Sequence, residues 1–240
     1  MKTGHLKNKR ALITGASAGI GRAIALGLAD EGCHVALVAR SLPKLKEVAT
    51  ECEEKGVKVA VIPYDLAKSA DTASLVEKTI SGLGGLDILI NNAGASSSSP
   101  VDKADLDDWD RVIDVNLRSM IHLTNHSLKE IEKNPWGAVI NISSVAGKMT
   151  FGGSGIYCAT KHAVMGLTGS LYEDVREKNI KVCAICPGFV NTGFVSNNKI
   201  NREKMIQPDD VADTVRYVLN SSDTFCPTEI TMRPQRSPYN

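Results

Sequence analysis

Seven short, almost wholly apolar segments alternate along the chain with longer amphipathic ones, and this alternation restricts the fold more than any other feature. Residues 10–14, 35–38, 57–62, 86–90, 138–142, 180–185 and 229–232 read as strands. Residues 20–31, 44–55, 71–83, 109–133, 156–177 and 208–219 read as helices, and in the first of these Ile20, Ala23, Ile24 and Leu28 share one face. The segment His-Val-Ala-Leu-Val-Ala at 34–39 suits burial on both sides. Strands separated by helices need crossovers, which build a parallel sheet covered on both faces. The expected fold is therefore α/β: one doubly wound domain over 1–240, with a mainly parallel seven-stranded sheet flanked by helices.

The 240 residues are 42% hydrophobic and 23% charged, enough apolar material for one core. A net charge of +1 and only 5% aromatics give no footprint for nucleic acid. No apolar run approaches the roughly 18 residues that a membrane span needs, and the basic stretch 1–10 lacks the long apolar region of a secretory signal. A cytoplasmic protein with no membrane partner is expected. The six cysteines show no framework; Cys183 and Cys186 form a C-x-x-C, but within a strand an offset of three sends side chains to opposite faces. They read as free buried thiols, and no metal site is expected.

Between the first strand and the first helix lies Thr14-Gly15-Ala16-Ser17-Ala18-Gly19-Ile20-Gly21. Glycines there permit a tight turn and close approach of a pyrophosphate, while the helix N-terminus offers free N–H groups and partial positive charge. With Asn91-Asn92-Ala93-Gly94 after the fourth strand, Asn116, Ser144, Tyr157-x-x-x-Lys161 and Pro187-Gly188, the chain resembles the short-chain dehydrogenase/reductase family in its compact branch. The likeness runs from about Lys9 to Met232 and implies a Rossmann-type, NAD(P)-binding oxidoreductase.

The resemblance assigns dinucleotide contacts to Gly15, Ser17, Gly19, Ile20 and Gly21, to Asn92, Ala93 and Gly94, and to Tyr157 and Lys161. Asp65 and Leu66 are similar to the pair that receives the adenine, and Pro187, Gly188, Val190 and Thr192 to the group that holds the nicotinamide. An acidic residue at the end of the second strand would bind a ribose 2′-hydroxyl and repel a 2′-phosphate. Ala39, Arg40 and Ser41 occupy that place, and a guanidinium pairs well with phosphate, so NADP(H) is preferred and NAD(H) remains possible. Ala18 stands where NADP-preferring relatives often carry a second basic residue.

Tyr157 and Lys161, four apart on a helix, share one face. A neighbouring ammonium, and the positive nicotinamide of an oxidised cofactor, favour phenolate, so together they are expected to lower the Tyr157 pKa and let it exchange a proton with a carbonyl or alcohol oxygen. Ser144 is placed to hold that oxygen, and Asn116 resembles an asparagine that holds a water in a relay to the lysine. The expected reaction is hydride transfer between NADPH and a small-molecule carbonyl or secondary alcohol.

A short substrate lid is expected at about 193–207, with Lys199, Arg202 and Lys204 in it. These basic residues are the specific support for an alternative, a 3-oxoacyl-[acyl-carrier-protein] reductase. A non-catalytic dinucleotide-binding redox sensor is the alternative from another class. Met149, Phe151, Phe189 and Phe194 could line an apolar wall or belong to the core. Helices over 116–133 and 157–178 offer a two-fold contact, so a homodimer or homotetramer is expected, although Thr231-Met232-Arg233-Pro234 departs from the Asp-Gly-Gly turn of many relatives.

Overall fold

The computed structural model describes residues 4–68, 71–195 and 200–239. Its strands are β1 (Arg10–Thr14), β2 (His34–Ala39), β3 (Val59–Pro63), β4 (Ile88–Asn91), β5 (Gly137–Ile142), β6 (Ile180–Pro187) and β7 (Glu229–Met232). They form one sheet in the order β3-β2-β1-β4-β5-β6-β7, and every pairing is parallel. The helices are α1 (Gly19–Asp30), α2 (Leu42–Glu53), α3 (Thr72–Leu83), α4 (Leu106–Ile113), α5 (Ser119–Ile131), α6 (Gly155–Val175) and α7 (Pro208–Leu219). The doubly wound α/β fold is as expected.

Both faces of the sheet are covered because its strands are apolar on both. In β1, Ala11 and Ile13 join a core with Ile24 and Leu28 of α1 and Val215 of α7. Leu12, between them, joins a second core with Leu75 of α3, Leu123 of α5 and Leu171 of α6. The period of two thus divides one strand between two layers. Cys183 lies in the first core, whereas Cys186 turns its Sγ to within 3.4 Å of Met165 Sδ on α6. The two thiols do lie on opposite faces, and the cysteines are free. Among the described residues no cluster of metal-ligating side chains occurs, and no helix is long and apolar enough to cross a membrane.

The single helix expected over 109–133 is three segments. It starts earlier, at Leu106, because the Asp105 carboxylate accepts bonds from the N–H groups of Asp107 (3.1 Å) and Asp108 (3.4 Å). A π turn, Asp114–Arg118, then interrupts it, with the Ser119 N–H bonded to the Asp114 carbonyl five residues back. The turn carries Asn116.

Strand order reverses between β1 and β4, so the connections leaving β1 and β4 diverge to opposite faces and open a crevice at the carboxyl ends of the strands. One glycine of α1 closes the back of this crevice. A Cβ on Gly21 would overlap the Gly15 carbonyl and the Asn92 amide. Gly27, six residues along the same helix, would place a Cβ in ordinary contact with Arg216 and Ala212. Gly21→Ala should therefore lower unfolding stability by roughly 2–3 kcal/mol. Gly27→Ala should raise it by about 0.5–1 kcal/mol through helix propensity. Urea denaturation of the pair checks both signs.

Candidate active site

The glycine-rich turn leaves β1 with Gly15 at φ +68° and enters α1 with Gly19 at φ +54°, left-handed values that a side chain would strain. Its shape is held from the neighbouring strand. The Thr14 hydroxyl accepts the backbone N–H groups of Asn92 and Ala93, both at 3.0 Å, and donates to the Ile90 carbonyl at 3.3 Å. The Asn92 side-chain amide in turn donates to the Thr14 carbonyl at 2.8 Å. Ala18 is the N-cap of α1 and offers no side-chain acceptor, so the first N–H groups of the helix open onto the cleft, where Gly19 and Ile20 form part of the wall. Uncapped N–H donors behind two glycines fit an anionic pyrophosphate.

Opposite this turn stands the predicted catalytic group. Ser144 follows β5 and caps a short 3-10 turn, its Oγ accepting from the Ala146 N–H at 3.1 Å. Tyr157 lies on the first turn of α6, with its hydroxyl close enough to Ser144 to feel that residue's hydroxyl. Lys161, one turn further, is 4% exposed and donates from Nζ to the Ile142 carbonyl at 2.9 Å. The ammonium lies 5.8 Å from the centre of the Tyr157 ring. Asn116 is also buried: its Oδ1 accepts from the Ala95 N–H (2.7 Å), and its Nδ2 donates to the Ala95 carbonyl (2.9 Å) and Thr160 Oγ1 (3.1 Å). A chamber of about 10 Å³, close to what one water needs, is bordered by both Asn116 and Lys161.

Burial sets the electrostatics. It pushes the Tyr157 hydroxyl above its usual value, while the nearby Ser144 hydroxyl pulls the other way. Burial also pushes Lys161 down, to about 8. The expected lowering of Tyr157 by Lys161 is not what the protein's own groups produce. The ammonium bonds a backbone carbonyl and is itself disfavoured by desolvation, so the phenol stays protonated near neutrality.

A cleft of about 420 Å³ gathers Gly15, Gly19, Ile20, Asn92, Ala93, Gly94, Ser144, Tyr157, Lys161, Pro187, Gly188, Val190 and Thr192. A side chain on Gly94 would lie 3.7 Å from Asn116 Oδ1 and 3.9 Å from Lys161 Nζ, which places this backbone beside both. The other predicted residues are not in its wall. Ser17 is half-buried in the turn and Gly21 packs behind it. Arg40 is exposed just past β2, forms no ion pair with any described residue, and precedes Ser41, the N-cap of α2. Asp65 Oδ1 accepts from the Ala67 N–H at 3.1 Å, and the Leu66 side chain belongs to the α3-side core. Of the lid expected at 193–207, Gly193, Phe194 and Val195 line the cleft, while residues 196–199, with Lys199, lie outside the described residues.

Three contributions escaped the sequence reading. Ile142 acts through its carbonyl, which no side-chain pattern reveals. Ser143 donates from Oγ to the Lys161 carbonyl at 3.2 Å, though only its neighbour Ser144 matches the motif. Thr14 was visible as the first letter of the turn, but its double acceptor role depends on where β4 lies.

The model of the short chain dehydrogenase family matches residues 9–203. An uncharacterized oxidoreductase of Staphylococcus aureus is 36% identical over 229 residues, 95% of this chain and 98% of its own. A short chain dehydrogenase from Burkholderia cenocepacia, solved in complex with NADP, superposes with a TM-score of 0.89 at 29% identity, covering 96% of this chain and 98% of that one. A metagenomic short-chain oxidoreductase, also solved with NADP, gives a TM-score of 0.84 at 31% identity over 97% and 100% of the two chains. The protein belongs to the short-chain dehydrogenase/reductase family and is an NAD(P)-dependent oxidoreductase.

The depressed Lys161 pKa has a measurable consequence. The folded protein holds this proton less tightly than the unfolded chain, where a lysine titrates near 10.4. The burial penalty is thus complete below pH about 8 and lifts as the pH rises towards about 10.4. Relative to Lys161→Met, the wild type should gain on the order of 3 kcal/mol across that window, read from denaturant midpoints at stepped pH. A flat difference would show that the ammonium is solvated.

Proposed function

We propose that this enzyme is an NADPH-dependent oxidoreductase that interconverts a carbonyl and a secondary alcohol, with Tyr157 as the acid/base. The observation that carries the reading is the convergence of Ser144, Tyr157 and Lys161 on a cleft whose other side is the glycine turn and the uncapped start of α1. When bound there, NADPH supplies the hydride. The N–H groups of Gly19, Ile20 and Gly21 would hold its pyrophosphate. Arg40, exposed at the end of β2, would meet the 2′-phosphate, with Ser41 beside it and Asp65 and Leu66 near the adenine. NADP in two structural relatives supports this choice. Asn92, Ala93 and Gly94 line the same cleft, where Pro187, Gly188, Val190 and Thr192 would meet the nicotinamide.

The substrate oxygen would sit between the hydroxyls of Ser144 and Tyr157. As negative charge develops on it, Ser144 donates a hydrogen bond and Tyr157 delivers its proton. A phenol kept protonated by burial suits the reducing direction. Lys161 holds its place beside the Tyr157 ring through the Ile142 carbonyl, and the small chamber it shares with Asn116 offers a route for the replacement proton. Self-association belongs to the same reading: Ile121 of α5 is 41% exposed, and Gly166 and Gly169 of α6 face open space that a second copy could fill.

Two variants test the assignment. Tyr157→Phe should lose about 100-fold or more in turnover of a carbonyl panel while its NADPH affinity stays within about twofold, since only the proton donor is removed. Near-normal rates would refute the acid/base role, and NADPH binding without turnover of any substrate by the wild type would favour the sensor. Ala39→Asp with Arg40→Ile should move the NADPH/NADH preference by about tenfold or more towards NADH, measured as the ratio of kcat/KM values.

A further inference from the structure

Arg202, in the loop after β6, is occupied. Its Nη1 donates to Asn191 Oδ1 at 3.0 Å and to the Thr192 carbonyl at 3.3 Å, and its Nη2 donates to the Val195 carbonyl at 3.1 Å. Asn191 is held from the other side as well: its Nδ2 donates to Gln207 Oε1 at 3.0 Å and its backbone N–H to the Ile206 carbonyl at 2.8 Å. Gln207 Nε2 donates to the Met205 carbonyl at 3.0 Å, so both ends of this network are tied to backbone. The turn gathered in this way, 191–195, lines the cleft with Thr192 to Val195, and two of its residues pack against the elements opposite. Thr192 lies against Gly19, at 3.0 Å from where a Cβ on that glycine would be. Phe194 packs its ring 6.0 Å from that of Tyr157.

We propose that Arg202 is a positioning residue. It folds the 191–195 turn against the start of α1 and against Tyr157, and so shapes both the nicotinamide end of the cofactor site and the wall facing the substrate. The inference rests on the oxidoreductase reading. Three acceptors on three different residues are matched by the fixed, planar fork of a guanidinium, and an ammonium, as a compact point charge, cannot span them. The same engagement decides what the wall recognises. A guanidinium turned into its own loop is engaged as a donor there, and the described lid residues at the cleft are Gly193, Phe194 and Val195. The described wall thus suits a carbonyl compound with an apolar body, and Arg202 is not the anchor for an anionic group on it.

Arg202→Ala and Arg202→Lys, compared with the parent enzyme, test this in three measurements: NADPH affinity by fluorescence titration, steady-state kinetics with a neutral aromatic diketone and with the acetoacetyl thioester of coenzyme A, and the rate of chymotryptic cleavage after Phe194. Arg202→Ala should raise the NADPH Kd and the KM for both substrates by about tenfold, the size expected for losing charge-assisted hydrogen bonds, and should change kcat by less than about threefold. Cleavage after Phe194 should accelerate about tenfold without a change in the thermal midpoint, and Arg202→Lys should repair little of any effect. A loss confined to the anionic thioester and repaired by Lys would overturn the proposal in favour of an anion receptor, and unchanged Kd, KM and cleavage would overturn it by showing that Arg202 holds nothing. If the parent bound no NADPH, the oxidoreductase reading would fail, and cleavage at Phe194 would still decide whether Arg202 holds the turn.

Discussion

The hydroxyl of Thr14, a residue only 3% exposed, is the contact on which the site depends. β1 and β4 are neighbours in the sheet, yet they belong to halves of the chain that wind in opposite directions away from each other. At their carboxyl ends the ladder stops, and two consecutive backbone N–H groups, those of Asn92 and Ala93, have no strand partner. Thr14 Oγ1 accepts both. Each bond is worth only about 1 kcal/mol net, but leaving the donors unmet in a buried place would cost about 1–3 kcal/mol apiece. The hydroxyl therefore joins the two halves where the cleft opens. With Asn92 returning a bond to the Thr14 carbonyl, the glycine turn and the Asn-Ala-Gly turn become one wall.

The opposite wall is held at a second level, beneath the site. Asn91 and Asn141 are in register on β4 and β5, and their side chains bond to each other at 2.9 Å. Asn91 also donates to Thr124 of α5 at 3.0 Å, and Asn141 to Thr168 of α6 at 2.9 Å. This polar ladder crosses the sheet face and fixes where α5 and α6 lie. In a buried, low-dielectric place such a network resists sliding more than apolar packing does, because any shift strands a polar group. Lys161 can reach the Ile142 carbonyl because α6 is held at this position. The same burial that orders the lysine weakens its hold on a proton, so precision and basicity are set by one environment.

Most of the architecture is legible in the residues themselves. The strands 10–14 and 229–232 and the helix 208–219 read directly, since apolar runs of the right length sit between Gly, Pro and Asp signals. The segment 109–133 misleads because a π turn keeps helical periodicity on either side while breaking the hydrogen-bond ladder within. The earlier start at Leu106 was marked by Asp105, whose cap outweighs the exposed apolar residue after it. Arg202 shows the limit from the other side. In the sequence it is one of several cations in a loop, and its engagement appears only when residues 191–195 are folded back beneath it.

By itself, then, the sequence determined a parallel sheet covered by helices on both faces, the glycine turn, and the places of Ser144 at a strand end and of Tyr157 and Lys161 on one helix face, the marks by which the family is known. These are properties of local pattern: periodicity, the conformational freedom of glycine and helical spacing all act within a few residues. The tertiary structure alone decided which way the pKa values of Tyr157 and Lys161 move, which carbonyl anchors the lysine, and what Thr14 and Arg202 bind. Each of those depends on desolvation or on a partner brought close by the sheet order or a loop, and neither has a signature in the order of residues.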